Sequence, residues 1–219
     1  MQINDLIKGN KKFREARFSK YETDLKQLSK DGQNPDILFI GCSDSRVTPE
    51  LVLDTKPGDM FTLRNVGNFV PPYNPDNDYH GSSAVIEYAV CVLGVKHIIV
   101  CGHSHCGACK SLYQNLNDSP DLIHVKKWLE LGKRAKEYTL LAIQDKADKE
   151  NLDRATERIS IVHQMENLLT FPEVERKVKN GELQIHGWYY RIEDGTIEYY
   201  DGEECSFKEL KEKKDATRN

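Results

Sequence analysis

The sequence has no hydrophobic run long enough to cross a membrane, because its longest apolar stretches have only the length of a β-strand. Its amino terminus lacks the basic segment and apolar core that are typical of a secretory signal. It also has no excess of positive charge, since the net charge is -4 at pH 7, whereas a nucleic-acid surface needs a concentrated basic face. We therefore expect a cytoplasmic protein that neither spans a membrane nor binds nucleic acid.

A disulfide framework is not expected either, because the cytoplasm is reducing. The 6 cysteines therefore have metal binding, catalysis or simple burial as their alternative roles. The chain has 219 residues, of which 38% are hydrophobic, and this length suffices to bury a core. A single domain that spans residues 1–219 is the simplest organisation.

Residues 1–30 are predicted to form a helical arm. Ile3, Leu6 and Ile7 are spaced as one face of a helix within a charged segment, and a pair of leucines farther along indicates a second short helix. Such an arm is amphipathic. Its apolar face must lie on its own domain or on a second subunit.

Three short apolar segments predict β-strands, at residues 37–40, 60–64 and 97–101. The first and the third are apolar throughout, as in strands buried on both faces, and a glycine follows each of them and is expected to end it. Residues 81–93 leave almost no polar face, which predicts a buried helix between the second and the third strand. A strand, a helix and a strand in this order predict a right-handed parallel crossover. Together with a hairpin at residues 183–200, the pattern predicts an α/β fold in which helices flank a mostly parallel central β-sheet.

Reactive side chains follow two of these strands. Cys42, Asp44 and Arg46 come directly after the first strand, and His103 and Cys106 come directly after the third. The carboxyl ends of neighbouring parallel strands meet at one edge of a sheet, which is where open α/β sheets bind ligands. Two thiolates and one imidazole are a good ligand set for zinc and leave a fourth position for water. Asp44 could occupy that position or stand beside it, with Arg46 holding its carboxylate away from the metal.

The residues alone leave three alternatives open at this edge. His105 competes with His103 as the metal ligand. Cys106 and Cys109 form a Cys-x-x-Cys motif that also fits a redox pair. A cysteine after a strand is, in addition, often only a small buried residue. For the remaining cysteines and histidines we expect structural roles: Cys91, Cys101, Cys205, His80, His97, His124, His163 and His186.

With these motifs in place, the sequence resembles the β-class carbonic anhydrases from about residue 30 to about residue 200. The segments that carry the resemblance occur in the order of the family, at residues 42–46, 58–68, 83–89, 99–107 and 186–190. The resemblance implies a zinc-dependent carbonate dehydratase. Such an enzyme hydrates carbon dioxide reversibly to bicarbonate and a proton by means of a zinc-bound hydroxide.

The resemblance also implies the roles of the residues in the two loops. Cys42, His103 and Cys106 would bind one Zn²⁺ per subunit, which selects His103 over the neighbouring histidine. Asp44 and Arg46 would form a catalytic dyad, with Asp44 as a fourth zinc ligand only in a closed state. Because two thiolates donate more charge to zinc than imidazoles do, we expect a bound water somewhat less acidic than at a three-histidine site.

A small and mostly apolar substrate pocket, which family members build across a dimer interface, is a further implication of the resemblance. We therefore expect a homodimer or a tetramer, in which the arm of residues 1–30 packs on a partner subunit. Gln33 would hydrogen-bond an oxygen of the substrate. The residues implied to line the pocket are Gln33, Phe61, Val66, Tyr88 and Gly107.

One subgroup of the family closes its site when bicarbonate binds in a pocket that includes a tryptophan just before the cysteine loop. Phe39 stands at that position here, whereas Arg64 and Tyr190 match other parts of the pocket. We therefore expect an open site at neutral pH without strong control by bicarbonate.

Two other functions compete with this prediction. A carbonyl sulfide or carbon disulfide hydrolase would use the same ligands on the same scaffold. Such relatives have a shorter separation between the first cysteine and the histidine, so the long loop at residues 66–79 favours the carbonic anhydrase. A zinc-dependent structural or redox module would use Cys106 and Cys109 instead.

Overall fold

The structure is a computed structural model that describes residues 1–76, 78–116 and 120–211. Its strands are β1 (Ile37–Cys42), β2 (Met60–Asn65), β3 (His97–His103), β4 (Gln184–Tyr190), β5 (Ile197–Asp201) and β6 (Ser206–Glu209). They form one sheet in the order β2-β1-β3-β4-β5-β6. The first four strands of this order run parallel, and β5 and β6 are added antiparallel at one edge. The predicted α/β fold with a mostly parallel central sheet is therefore confirmed.

Helices flank the sheet and also form the arm that precedes it. They are α1 (Ile3–Ala16), α2 (Phe18–Asp31), α3 (Pro49–Val52), α4 (Gly81–Glu87), α5 (Gly107–Ser111), α6 (Ile123–Leu129), α7 (Lys133–Ala142), α8 (Lys149–Leu168) and α9 (Pro172–Lys179). A π-helical segment, Tyr88–Leu93, directly continues α4. None of the helices in the described ranges combines the length and the hydrophobicity that a membrane span requires.

The main hydrophobic core lies between the sheet and helices α4, α8 and α9. Ile40 of β1 and Val100 of β3 are completely buried there, as are Ile161 and Leu168 of α8. Burial of such a side chain contributes about 1.5–3 kcal/mol. The core therefore holds β1 and β3 as rigid neighbours, with their carboxyl ends side by side.

β1 and β3 run farther than predicted, because their glycines lie within the strands. β1 continues through Gly41 to Cys42, and β3 continues through Gly102 to His103. A Cβ atom at Gly102 would lie 2.8 Å from the Cδ1 atom of Ile161, so glycine is needed there for the close approach of α8. The prediction that these glycines end the strands is wrong. Each strand ends instead on a residue with a potential metal-ligating atom.

The helical segment at residues 81–93 also differs from its prediction, because in the single chain it is buried on one side only. Ala89 and Val90 face the core, whereas Tyr88 is 45% exposed and Val92 is 65% exposed. The outer side borders an open cavity of about 500 Å³. An exposed apolar surface of this kind is typical of protein–protein contact sites.

The arm leaves its own apolar face exposed as well. Neither α1 nor α2, which are described throughout, contains a buried residue. Ile3, Leu6 and Ile7 are 71%, 55% and 63% exposed. The predicted amphipathic arm is therefore present, and the described part of the single chain leaves its apolar stripe uncovered.

Candidate metal centre

Three buried side chains converge at the carboxyl ends of β1 and β3. Cys42 is the last residue of β1, His103 is the last residue of β3, and Cys106 follows in the loop before α5. Their ligand atoms all lie within 4.8 Å of one another. Because β1 and β3 are adjacent and parallel, two loops that are distant in sequence open at the same edge of the sheet.

The imidazole of His103 is held with one nitrogen free. Its Nδ1 atom donates a hydrogen bond to the carbonyl of Ser104 over 2.8 Å, so in the neutral ring the free lone pair is on Nε2. Nε2 is buried and has no hydrogen-bond partner among the described residues. A buried polar atom without a partner is costly, and a metal ion between this nitrogen and the two thiols would satisfy it.

The thiols of Cys42 and Cys106 would ionise near neutral pH only with a bound cation. The hydrogen bond with Cys106, together with burial, raises the pKa of Cys42 to about 12. A bound divalent cation would displace both protons, because thiolates rather than thiols are the metal ligands. Two sulfurs and one imidazole are the donor set of a zinc site with one open coordination position. The residues therefore fit zinc.

Asp44 lies beside this group and binds Arg46 instead of joining it. Its Oδ1 atom accepts hydrogen bonds from the backbone N–H and from Nε of Arg46, over 3.0 and 2.9 Å, and its Oδ2 atom accepts one from Nη2 over 2.7 Å. These bonds hold the pKa of Asp44 well below its usual range. Arg64 adds a hydrogen bond from Nη2 to the backbone carbonyl of Asp44 over 2.8 Å. Asp44 is thus an ionised acceptor of fixed orientation.

The alternatives that the sequence left open have different positions in the structure. The ring of His105 is half exposed and its Nε2 atom lies 2.5 Å from Glu193 Oε1, so it is turned away from the two thiols that His103 faces. Cys109 is 3% exposed and packs in the same cluster as Cys42 and Cys106. A hydrogen bond with the Cys109 thiol is the largest cause that raises the pKa of Cys106.

The residues expected to line the pocket fall into two groups within one chain. Val66 and Gly107 lie beside the metal centre, and Val66 borders an open cavity of about 450 Å³ next to the cysteine loop. The rings of Phe61 and Tyr88 lie together, 5.8 Å apart. Phe61 pairs with Leu38, which precedes Cys42 by four residues, or about 13 Å of strand.

The second group is therefore remote from the metal centre of its own chain. Gln33 also lies on that side, because it is in the exposed segment that leads into the amino end of β1. A single chain thus brings only part of the expected pocket to its own cysteine loop.

Sequence reasoning missed contacts that support the ligands from distant segments. The backbone N–H of Gly67 donates to Cys42 Sγ over 3.4 Å, and Glu157 accepts the backbone N–H of Cys106 over 2.9 Å. Glu157 is 2% exposed; burial raises its pKa, and a hydrogen bond from Tyr189 offsets part of that effect. In the sequence, Glu157 has the appearance of an ordinary helix-surface charge, so no signal marks it.

Comparison with known proteins agrees with this geometry. A family model described as carbonic anhydrase matches residues 37–197. A carbonic anhydrase of Synechocystis sp. is 43% identical over 197 residues, which are 90% of this chain and 70% of the relative. A carbonic anhydrase of Pseudomonas aeruginosa is 40% identical over 210 residues, 96% of this chain and 93% of the relative.

Solved structures that resemble this chain are also carbonic anhydrases. The structure of the β-carbonic anhydrase CcaA superposes with a TM-score of 0.87 at 40% identity, covering 95% of this chain and 99% of that one. A tetrameric β-carbonic anhydrase of Sordaria macrospora has a TM-score of 0.69 at 32% identity, covering 90% and 92%. The chain therefore belongs to the β-class carbonic anhydrases, the zinc-dependent lyases that hydrate carbon dioxide reversibly to bicarbonate.

Proposed function

We propose that Cys42, His103 and Cys106 bind one Zn²⁺ per subunit and that Asp44 and Arg46 are the catalytic dyad of carbon dioxide hydration. The observation that carries the proposal is the buried Nε2 atom of His103, which faces two thiols and has no hydrogen-bond partner in the described ranges. Zinc in such a site acts as a Lewis acid that lowers the pKa of a coordinated water, and so supplies a nucleophile near neutral pH. His103 contributes the correct tautomer, because its Nδ1–H is committed to the carbonyl of Ser104.

Asp44 orients the nucleophile. An ionised carboxylate can only accept hydrogen bonds, and both of its oxygens are fixed by Arg46. A hydroxide at the fourth coordination position would therefore donate a hydrogen bond to Asp44. This bond would turn a lone pair of the hydroxide oxygen toward carbon dioxide. The pairing with Arg46 also supports an open site at neutral pH, since the carboxylate is occupied away from the three ligand atoms.

The substrate pocket would be completed by a second copy of the chain. Val66 and Gly107 would line it from the subunit that holds the metal, and Gln33, Phe61 and Tyr88 would line it from the partner. This division is supported by the separation of the two groups within one chain and by the exposed ring of Tyr88, which lies against the partly buried ring of Phe61. A mostly apolar lining suits a small substrate without charge.

We further propose a single domain over residues 1–219, of which residues 212–219 lie outside the described range, and a cytoplasmic location. All six cysteines lie in the described residues and are free thiols, as expected in a reducing compartment. The comparisons support neither of the competing functions, the carbonyl sulfide or carbon disulfide hydrolase and the zinc-dependent redox module.

Removal of the metal tests the proposal directly. We expect the purified protein to contain about one zinc per chain, because the site has one complete ligand set. A chelator such as dipicolinate should abolish carbon dioxide hydration in stopped-flow assays at pH 8.5, and one equivalent of Zn²⁺ should restore it. Mg²⁺ should not restore activity, because it prefers oxygen ligands. Full activity in metal-free protein would contradict the proposal.

A substitution in the apolar stripe of the arm tests whether the arm holds the proposed oligomer together. A glutamate in place of Ile7 puts a charge in the apolar stripe that we propose to be buried on a partner subunit. Burying an unpaired charge is strongly unfavourable, so we expect the Ile7→Glu variant to dissociate at micromolar concentration, as measured by light scattering after gel filtration. Lys8→Glu, on the adjacent polar position, is the matched control and should keep the oligomer. The same mass for all three proteins would refute the role of the arm.

A further inference from the structure

The loop that connects two of the proposed zinc ligands is bound by a turn from the far end of the chain. Glu193, in the turn between β4 and β5, accepts a hydrogen bond from the Ser104 hydroxyl over 2.7 Å. Its other carboxylate oxygen lies 2.5 Å from His105 Nε2. The backbone of Ile192 donates to the same hydroxyl over 2.9 Å. Both residues between the ligands His103 and Cys106 are therefore fixed by this turn.

A second carboxylate fixes the end of the loop. Glu157 accepts the backbone N–H of Cys106, and Arg154 binds Glu157 through Nη2 over 2.8 Å. The Nη1 atom of Arg154 lies 3.8 Å from Glu193. We call Arg154, Glu157 and Glu193 the loop clamp, because the guanidinium links two carboxylates that contact successive residues of the loop.

The loop clamp reaches the catalytic dyad through one carbonyl group. The Nη2 atom of Arg46 donates to the carbonyl of His105 over 3.0 Å and to Asp44 over 2.7 Å. His105 has a backbone φ of 58°, a left-handed conformation that residues other than glycine seldom adopt without support. The contact between its ring and Glu193 supplies that support and so fixes the direction of the carbonyl.

Glu193 is suited to fixing the loop because its carboxylate is ionised. Burial alone would raise its pKa, but hydrogen bonds, chiefly from Ser104, lower the pKa to about 2. The carboxylate therefore accepts hydrogen bonds throughout the neutral range. An isolated ion pair with half-exposed side chains would contribute little, whereas Glu193 contacts two consecutive loop residues and the guanidinium of Arg154 at once.

We propose that Glu193 is a positioning residue for carbon dioxide hydration: it fixes the carbonyl of His105, which in turn aligns Arg46 and keeps Asp44 in its acceptor orientation. The inference rests on the proposed function, because it assigns Glu193 a role that acts through Asp44. The contacts of Glu193 are with Ser104, His105 and Arg154 rather than with the side chains of the proposed ligands. Its loss should reduce the rate of the chemical step and leave the ligand set intact.

The Glu193→Ala variant tests the proposal against Asp194→Asn, a matched control in the same turn that also loses a charge. Asp194 binds Arg191 and the backbone of Thr196, and within the described part of the chain it makes no hydrogen bond or ion pair with the loop clamp. We expect Glu193→Ala to lower kcat about 10-fold, because small misplacements of catalytic groups are costly, with KM changed less than about twofold. The Asp194→Asn control should have the kcat and KM of the wild type.

Two further measurements separate positioning from a general structural role. In an Arg46→Ala background, Glu193→Ala should lower kcat less than about twofold, since coupled residues have non-additive effects. In the Co²⁺-substituted protein, the visible absorption of Glu193→Ala should differ from that of the wild type at unchanged metal content, because a released Asp44 can approach the metal.

These experiments distinguish a failure of the role of Glu193 from a failure of the proposed function. A loss of activity in Asp44→Asn together with an unchanged kcat and Co²⁺ spectrum in Glu193→Ala overturns the role of Glu193 and leaves the proposed function standing. Full additivity with Arg46→Ala also overturns it, even if Glu193→Ala is unstable. An Asp44→Asn variant with normal activity overturns both.

Discussion

Replacing Asp44 with asparagine should lower kcat for carbon dioxide hydration about 100-fold, the low end of what one positioned acid–base or acceptor group contributes. The carboxylate is an acceptor on both oxygens, and both are bound by Arg46. An asparagine amide has only one acceptor oxygen. Its NH₂ group would face either the guanidinium or the metal position, so it cannot serve both partners.

The loss should also be about the same at pH 7 and at pH 9. The pKa of Asp44 is held well below its usual range by Arg46, so the wild-type carboxylate is ionised at both values. A loss that disappeared at high pH would contradict this role, because it would mean that Asp44 titrates within the assay range.

A matched control for Asp44 is available on the surface. Asp145 accepts a backbone N–H two residues ahead over 2.9 Å, the same local turn that Asp44 makes with Arg46. Asp145→Asn should therefore keep wild-type kcat and zinc content. Stopped-flow hydration assays and zinc analysis of the wild type and of the Asp44→Asn and Asp145→Asn variants test this expectation. A kcat of Asp44→Asn within threefold of the wild-type value would exclude Asp44 from the dyad.

Replacing Cys106 with serine should remove zinc and activity together. A serine hydroxyl does not ionise near neutral pH and is a poor zinc ligand compared with a thiolate. The loss of affinity should exceed the roughly 10–100-fold that the loss of an outer-shell partner costs. Elemental analysis after gel filtration and stopped-flow hydration both measure this effect. Because a preformed ligand set binds zinc more tightly than the unfolded chain does, the variant should also melt at a lower temperature.

Cys109→Ser is the informative counterpart, because Cys109 lies in the same cluster and is the other half of the Cys-x-x-Cys motif. We expect this variant to keep its zinc and most of its activity, with a modest loss of stability from the buried hydroxyl, about 1–3 kcal/mol. Loss of zinc from Cys109→Ser with retention in Cys106→Ser would reverse the assignment and favour a redox module.

Part of the fold could be read from local patterns. The apolar segments at residues 37–40 and 97–101 predicted two buried strands of a mostly parallel sheet, and the structure has them as β1 and β3, which are adjacent and parallel. The strand ends were not predictable, because Gly41 and Gly102 are required by Phe39 and Ile161 rather than by a turn. No strand was predicted at β6, a short edge strand with partly exposed side chains.

Burial could not be predicted where it depends on another chain or on distant segments. The sequence of residues 81–93 has the composition of a buried helix, but Tyr88 and Val92 are exposed in one chain. The converse holds for Glu157, a charged residue that is 2% exposed, because its partners Tyr189 and Cys106 supply the hydrogen bonds that make burial tolerable. The expected weak control by bicarbonate stays a prediction.

The sequence by itself predicted the chemistry: two thiols and an imidazole as a ligand set for a metal ion, and a carboxylate two residues before a guanidinium that could pair with it. Within each loop, at residues 42–46 and 103–106, the prediction depends on residue types and short spacings. The apolar strand before each loop indicates that the two loops meet at one edge of the sheet. The residue types left His103 and His105 open, and the tertiary structure agrees with the family resemblance in placing His103 at the two thiols. Only the tertiary structure decided what fixes the loop between the proposed ligands. Glu193 is 89 residues from Ser104, and Glu157 is 51 residues from Cys106. Contacts over such separations follow from the packing of the sheet against α8 and from the register of β3 and β4, which no local pattern encodes.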